Sequence, residues 1–237
     1  LAILNFFSIK KCTSSDFKFS IFDINNFSES KVLLSFSIPA VLSGLMVSPV
    51  IWLTNRFLVN TPSGYEQMAV FDVALQWRSI VLFIPVALCQ IALPMLSGAK
   101  NQDFSKILKK NLILNFVISS IIVLIIITLI PLFLSLYSEE YINAKYPMVV
   151  MLITTVFIAV NNVIGQAIAS LDKMWFGFIF NLFWGIVISI FSYYFVVIEK
   201  NGALGLSYAY LVSYIFHTVV QFIFLNQVVK KKNNLNK

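Results

Sequence analysis

Six runs of predominantly apolar residues decide what this chain can fold into. About 20 such residues in a helix cross the roughly 30 Å hydrocarbon core of a bilayer. Inside that core only a helix or a closed barrel satisfies every backbone N–H and C=O. A barrel would show short segments of alternating polarity, and these runs do not alternate. The predicted fold class is therefore an all-α polytopic membrane protein with six transmembrane helices. Composition agrees: 11% of the residues are charged, against about a quarter in soluble domains.

The spans read as Val32–Leu53, Met68–Leu96, Leu112–Leu136, Met148–Ile168, Trp175–Ile198 and Leu204–Val228. Pro39, Gly44 and Pro49 predict kinks in the first, and Trp52 marks its interfacial end. Leu1–Ile9 is apolar and precedes Lys10 and Lys11. A signal peptide has the reverse order, so this stretch reads as the tail of an earlier transmembrane helix, and the chain as part of a longer protein. Residues 1–30 thus form that tail plus a polar connector, in which Ser28 or Ser30 can cap the first span. Residues 31–229 form the six-helix lobe, and 230–237 a basic tail. Between the second and third spans, Phe104, Ile107 and Leu108 alternate with Lys106, Lys109 and Lys110. That spacing fits a short amphipathic helix on an anionic leaflet, or a solvated basic loop.

The net charge of +7 does not imply nucleic acid as a partner, because the lysines sit in short loops between apolar runs. Of the 17 Lys and Arg, 13 fall on the side holding both termini, three on the opposite side, and Arg78 inside the membrane. The positive-inside rule then places both ends in the cytoplasm. Cys12 and Cys89 lack CxxC spacing and read as free thiols.

Two charges lie in the second span. Asp72 and Arg78 each cost about 2.5–3.5 kcal/mol on insertion scales and so face a partner or a wet cavity. Arg78 falls near mid-membrane, where its planar fork suits a phosphate or diphosphate; the bland alternative is a structural pair with a carboxylate elsewhere. At 100° per residue, Asp72, Gln76, Ser79 and Gln90 share one stripe. Arg78 lies about 120° away with Ala74, Pro85, Cys89 and Ala92, so the two charges are not an evident pair. Of the two faces, Arg78's is expected to meet the cavity, with Arg56 at the outer rim. In the fourth span Asn161, Asn162 and Gln166 either bond helix to helix or contact substrate; Asn181 reads the same way. His217, the one histidine, is either a hydrogen-bonded packing residue or a proton carrier. No Gly-rich phosphate loop, HExxH or Cys/His metal spacing occurs. No catalytic residue, cofactor or metal is expected.

Three pieces of sequence carry a resemblance. They are Ser37–Ala40 with Leu42–Gly44 and Ser48–Arg56; Gln76-Trp77-Arg78 with Phe83–Pro85; and Leu93–Ser97 followed by a basic loop. Together they resemble the C-terminal half of Wzx-type polysaccharide (O-antigen) flippases, in the multidrug/oligosaccharidyl-lipid/polysaccharide exporter (MOP) superfamily. That resemblance implies two six-helix lobes around a cationic cavity open alternately to each side. The implied substrate is an undecaprenyl-diphosphate-linked oligosaccharide repeat unit, moved across the bacterial inner membrane for polysaccharide biosynthesis. Arg78 and Arg56 would meet the diphosphate, and Asp72, Gln76, Asn161 and Asn162 complete the expected substrate-binding set. The implied partners are membrane lipids, an N-terminal lobe and polysaccharide polymerase machinery. The rival expectations are a cation-coupled multidrug exporter of the same superfamily, an integral membrane enzyme, and a lobe that only mediates interactions. The enzyme reading lacks a large external loop to hold a site.

Overall fold

The computed structural model describes residues 30–99, 101–137 and 139–234. The expectations placed on residues 1–29, including the preceding helix tail, the connector and Cys12, lie outside the described residues. Six helices follow one another: α1 (Ile38–Val59), α2 (Gly64–Ser97), α3 (Asn101–Leu134), α4 (Lys145–Ser170), α5 (Met174–Ser192) and α6 (Gly202–Asn234). A π-helical turn, Leu33–Ser37, leads into α1, and another, Tyr193–Ile198, ends α5. All six spans are long and apolar enough to cross a bilayer, so this is a multi-pass membrane protein.

Helix α4 is the axis of the lobe. In its most apolar stretch 61% of residues are buried, against 33% or fewer in each other span. It packs on α2, α3 and α6, while α1 leans mainly on α5 and only lightly on α2. The α1–α5 contact is close because Gly185 presents bare backbone to Val50; a Cβ there would stand 3.0 Å from the valine methyl. A second tie is the Trp175 indole N–H, which donates to the Leu34 carbonyl in the π turn at 3.1 Å.

The turns Asn60–Ser63, Glu139–Ala144 and Glu199–Asn201 share one end of the lobe, called here the Ser63 end. Gly98–Ala99 and Leu171–Lys173 share the other, the Asp172 end. The apolar core divides accordingly. Toward the Ser63 end, Phe71, Met148, Met151, Leu152, Ile188, Leu206 and Tyr210 pack together. Toward the Asp172 end, Cys89, Leu96, Phe104, Ile164, Ile168 and Leu225 do so.

Several boundaries differ from the expected ones. Helix α1 continues to Val59, so Arg56 sits in its last turn and not in a loop. Helix α2 begins at Gly64, four residues before Met68. The basic stretch after Gly98 is neither a separate surface helix nor a loop: it is the first part of α3. Phe104 and Leu108 are buried in the lobe while Lys109 and Lys110 stay exposed. Lys, Gln and Leu are good helix formers, and two large apolar groups three and four residues from their neighbours gain more from the core than from a leaflet.

Candidate functional site

Helix α2 presents two chemically distinct faces. On the open side Asp72, Gln76, Ser79 and Ile80 border a shallow depression of about 480 Å³. Gln76 and Ser79 are exposed and Asp72 is half-buried. The Ser79 hydroxyl donates to its own helix, at the Leu75 carbonyl, 2.8 Å. The Asp72 carboxylate and Gln76 amide therefore face outward at membrane depth, where lipid cannot solvate them. Such a face needs water or protein against it.

The other side of α2 turns into the lobe. Ala74, Pro85, Cys89 and Ala92 are all buried, as the wheel spacing requires. Arg78 lies on this side, about 21 Å along the helix from Gly64 at 1.5 Å per residue. Its guanidinium carbon stands 5.4 Å from the centre of the Tyr210 ring of α6. Its Nε and Nη1 are buried and find no hydrogen-bond partner among the described residues. No described carboxylate pairs with it. Arg78 thus stands on the lobe-facing side of α2, beside Tyr210, while the Asp72 stripe borders the open depression. The small residues around Arg78 are the ones that let α2 approach α4 closely, and they carry the arginine inward with them. Arg56 is not drawn to Arg78; exposed at the end of α1, it lies 5.5 Å over the ring of Trp52.

A cavity of about 560 Å³ opens among α1, α2, α4, α5 and α6 in the Asp172 half. Its walls carry the carboxamides of Gln90, Asn161, Asn162, Gln166, Asn181 and Gln221. Ser43, Tyr214, His217 and Cys89 complete the part of the lining that matters here. Among the described residues no Asp, Glu, Lys or Arg contributes to it. Several buried hydroxyls elsewhere are self-sufficient: Thr154, Thr155, Ser207 and Ser213 each donate to the carbonyl four residues back. Asn111 and Asn115 do the same through their amide nitrogens. Asn161 does not. It is 7% exposed, and both its amide atoms lack a partner among the described residues. Gln221 donates from Nε2 to the His217 ring Nε2 at 2.6 Å, leaving Gln221 Oε1 and His217 Nδ1 unmatched. A polar group left dry in this way costs about 1–3 kcal/mol, so these atoms call for water or a polar ligand.

Of the expected site residues, the structure gathers Asn161 and Asn162 at the cavity, Asp72 and Gln76 on the open stripe, and leaves Arg56 with Trp52. The sequence reading missed Tyr210 as the platform for Arg78, and Cys89 and Gln90 as cavity walls. One signal was available. Tyr210, Tyr214, His217 and Gln221 recur at i, i+4, i+7 and i+11, one face of α6. A second groove, of about 700 Å³, lies at the Ser63 end beside Phe57, Gln67 and Lys200. There the Gln67 side-chain oxygen is already committed, accepting from the Ala203 N–H at 2.9 Å.

This architecture matches in fold about half the length of a solved MOP-superfamily transporter. The chain superposes on a MOP-superfamily transporter from Pyrococcus furiosus with a TM-score of 0.70 at 17% identity, covering 82% of this chain and 44% of that one. A multidrug-resistance MATE family transporter in its outward-facing conformation gives the same values. A MATE transporter in complex with Br-NRF gives a TM-score of 0.65 at 18% identity, over 82% of this chain and 47% of that one. In sequence, the chain is similar to the EPS I polysaccharide export inner membrane protein EpsE of Ralstonia solanacearum: 27% identical over 154 residues, 63% of this chain and 35% of that protein. The EpsE of Ralstonia nicotianae matches to the same extent. The chain thus spans less than half the length of each of these proteins. No known family profile matches it.

Proposed function

We propose that this chain is the C-terminal lobe of a bacterial flippase of the MOP superfamily that moves an undecaprenyl-diphosphate-linked oligosaccharide across the inner membrane. Both its ends then lie in the cytoplasm, so the Asp172 end is the inner one. The observation that carries the reading is Arg78: a guanidinium at mid-span with two unmatched N–H donors and no described counter-charge. A diphosphate supplies what it lacks, since paired oxygens meet the guanidinium fork. The similarity to a polysaccharide-export protein points to the same substrate class. The open stripe of Asp72 and Gln76 supports a second lobe across a hydrated path, as alternating access between two lobes requires.

The test is export of the polysaccharide by cells carrying the whole protein. Arg78→Ala is expected to abolish export while membrane insertion and abundance stay normal. Arg78→Lys should restore only part of it, because a point charge cannot bond two oxygens at once. Normal export by Arg78→Ala sinks the anion role. If export tolerates that change yet fails in Asp72→Asn, cation-coupled multidrug-type transport becomes the better reading.

A further inference from the structure

We infer that the cavity inside the lobe is a binding site for a neutral sugar ring, separate from the open Asp72 face and from Arg78. This rests on the proposal that the transported molecule carries a glycan, and it assigns that glycan a resting place within one lobe.

The chemistry of the walls selects the ligand. A carboxamide offers two donors and an acceptor oxygen with two lone pairs, and six of them face this space. A ring bearing several hydroxyls is a matching surface, since each hydroxyl both donates and accepts. Asn161 is the anchor: it is more than nine-tenths buried, and both its amide atoms are unmatched. Gln221 Oε1 and His217 Nδ1, each on a residue at least 95% buried, add two more unmatched atoms from α6. Tyr214 and Phe36 supply ring faces for the apolar side of a sugar. Among the described residues the lining has no Asp, Glu, Lys or Arg, so its walls match neutral hydroxyls better than an anion or a metal cation. The volume, about 560 Å³, falls within the roughly 300–1,000 Å³ of small-molecule sites. The backbone leaves room as well: a Cβ added at Gly165, on the cavity wall, would meet nothing within 4 Å.

Cys89 gives a direct readout, because it lines the cavity and is 3% exposed. In a Cys12→Ser background it is the one thiol of the chain. The purified full chain, in lipid nanodiscs, is treated with a small neutral maleimide in the presence of methyl glycosides of neutral hexoses and N-acetylhexosamines. At twice its dissociation constant a sugar leaves about one third of the sites open, so labelling should slow by about threefold. Inorganic phosphate and uronic acid glycosides should leave the rate unchanged. Asn161→Leu and Gln221→Met should abolish the protection, and Gly165→Phe should slow labelling without any sugar; circular dichroism checks that each variant folds.

Labelling that no neutral glycoside slows would overturn the inference. So would equal protection by phosphate, full protection in a folded Asn161→Leu variant, or a Cys89 that reacts only after denaturation. Since this assay is independent of export, loss of protection with Arg78-dependent export intact removes the sugar site alone. Protection retained while export ignores Arg78 removes the diphosphate reading alone.

Discussion

Replacing Arg78 by Met separates a structural arginine from a functional one. Met matches the length of the arginine stem and adapts to irregular space. A charge at the centre of a span costs about 2.5–3.5 kcal/mol. Against this stands one cation–π contact with Tyr210, at 5.4 Å, worth about 0.5–2 kcal/mol. No described carboxylate adds to the favourable side, and two of the guanidinium nitrogens are unmatched. The balance is unfavourable to the folded lobe by roughly 0.5–3 kcal/mol. Arg78→Met is therefore expected to raise stability, by about 1 kcal/mol once the unfolded reference state has found partial solvation. The assay is reversible SDS titration of the purified chain in mixed micelles, followed by far-UV circular dichroism. A loss of about 1 kcal/mol or more would refute the reasoning, because it would mean that the arginine is held by interactions that outweigh its desolvation. A gain in stability together with lost export is the pattern of a residue kept for its ligand.

Two further substitutions probe the frame around the site. Gly205→Ala would place a Cβ 2.6 Å from the Phe195 carbonyl oxygen, a backbone atom that cannot swing aside; the same titration should show a loss of about 2 kcal/mol or more, in the range of overpacking changes. Gly165→Ala meets open space and should raise the SDS midpoint, by up to about 1 kcal/mol for a helix-interior glycine.

The face pattern of α2 was legible in the sequence. Ala74, Pro85, Cys89 and Ala92 are small or compact residues on one stripe, and they are the residues buried against the lobe. Asp72, Gln76 and Ser79 fall on the other, and they border open space. What the wheel could not supply was the sign of the assignment, meaning which stripe faces the lobe and which faces away. A guanidinium looks like the group to keep wet, yet an aromatic ring on a helix more than 100 residues away receives it. Helix ends were also partly hidden. Lys106, Lys109 and Lys110 read as a short amphipathic helix or a basic loop between two spans, but a helix does not stop where apolar residues stop. It stops where the backbone loses its partners, here at Gly98–Ala99 and again beyond Leu134.

The polar residues of the spans make the same point more sharply. Asn111, Asn115 and Asn161 are indistinguishable as letters in apolar runs. The first two donate their amide N–H to the carbonyl one turn back, at 3.0 Å in each case, so the helix that carries them absorbs part of their hydrogen-bonding demand. Asn161 forgoes that bond and leaves both amide atoms unmatched at a cavity wall. The difference lies in where the side chain points, not in the residue type, and Asn161 points to a cavity wall. The cavity lies where α1 and α2 touch only lightly, and α1 packs instead on α5, where Gly185 meets Val50. The space beside Asn161 on α4 is therefore bounded by residues of four other helices. That arrangement is long-range, and periodicity within a single helix carries no trace of it.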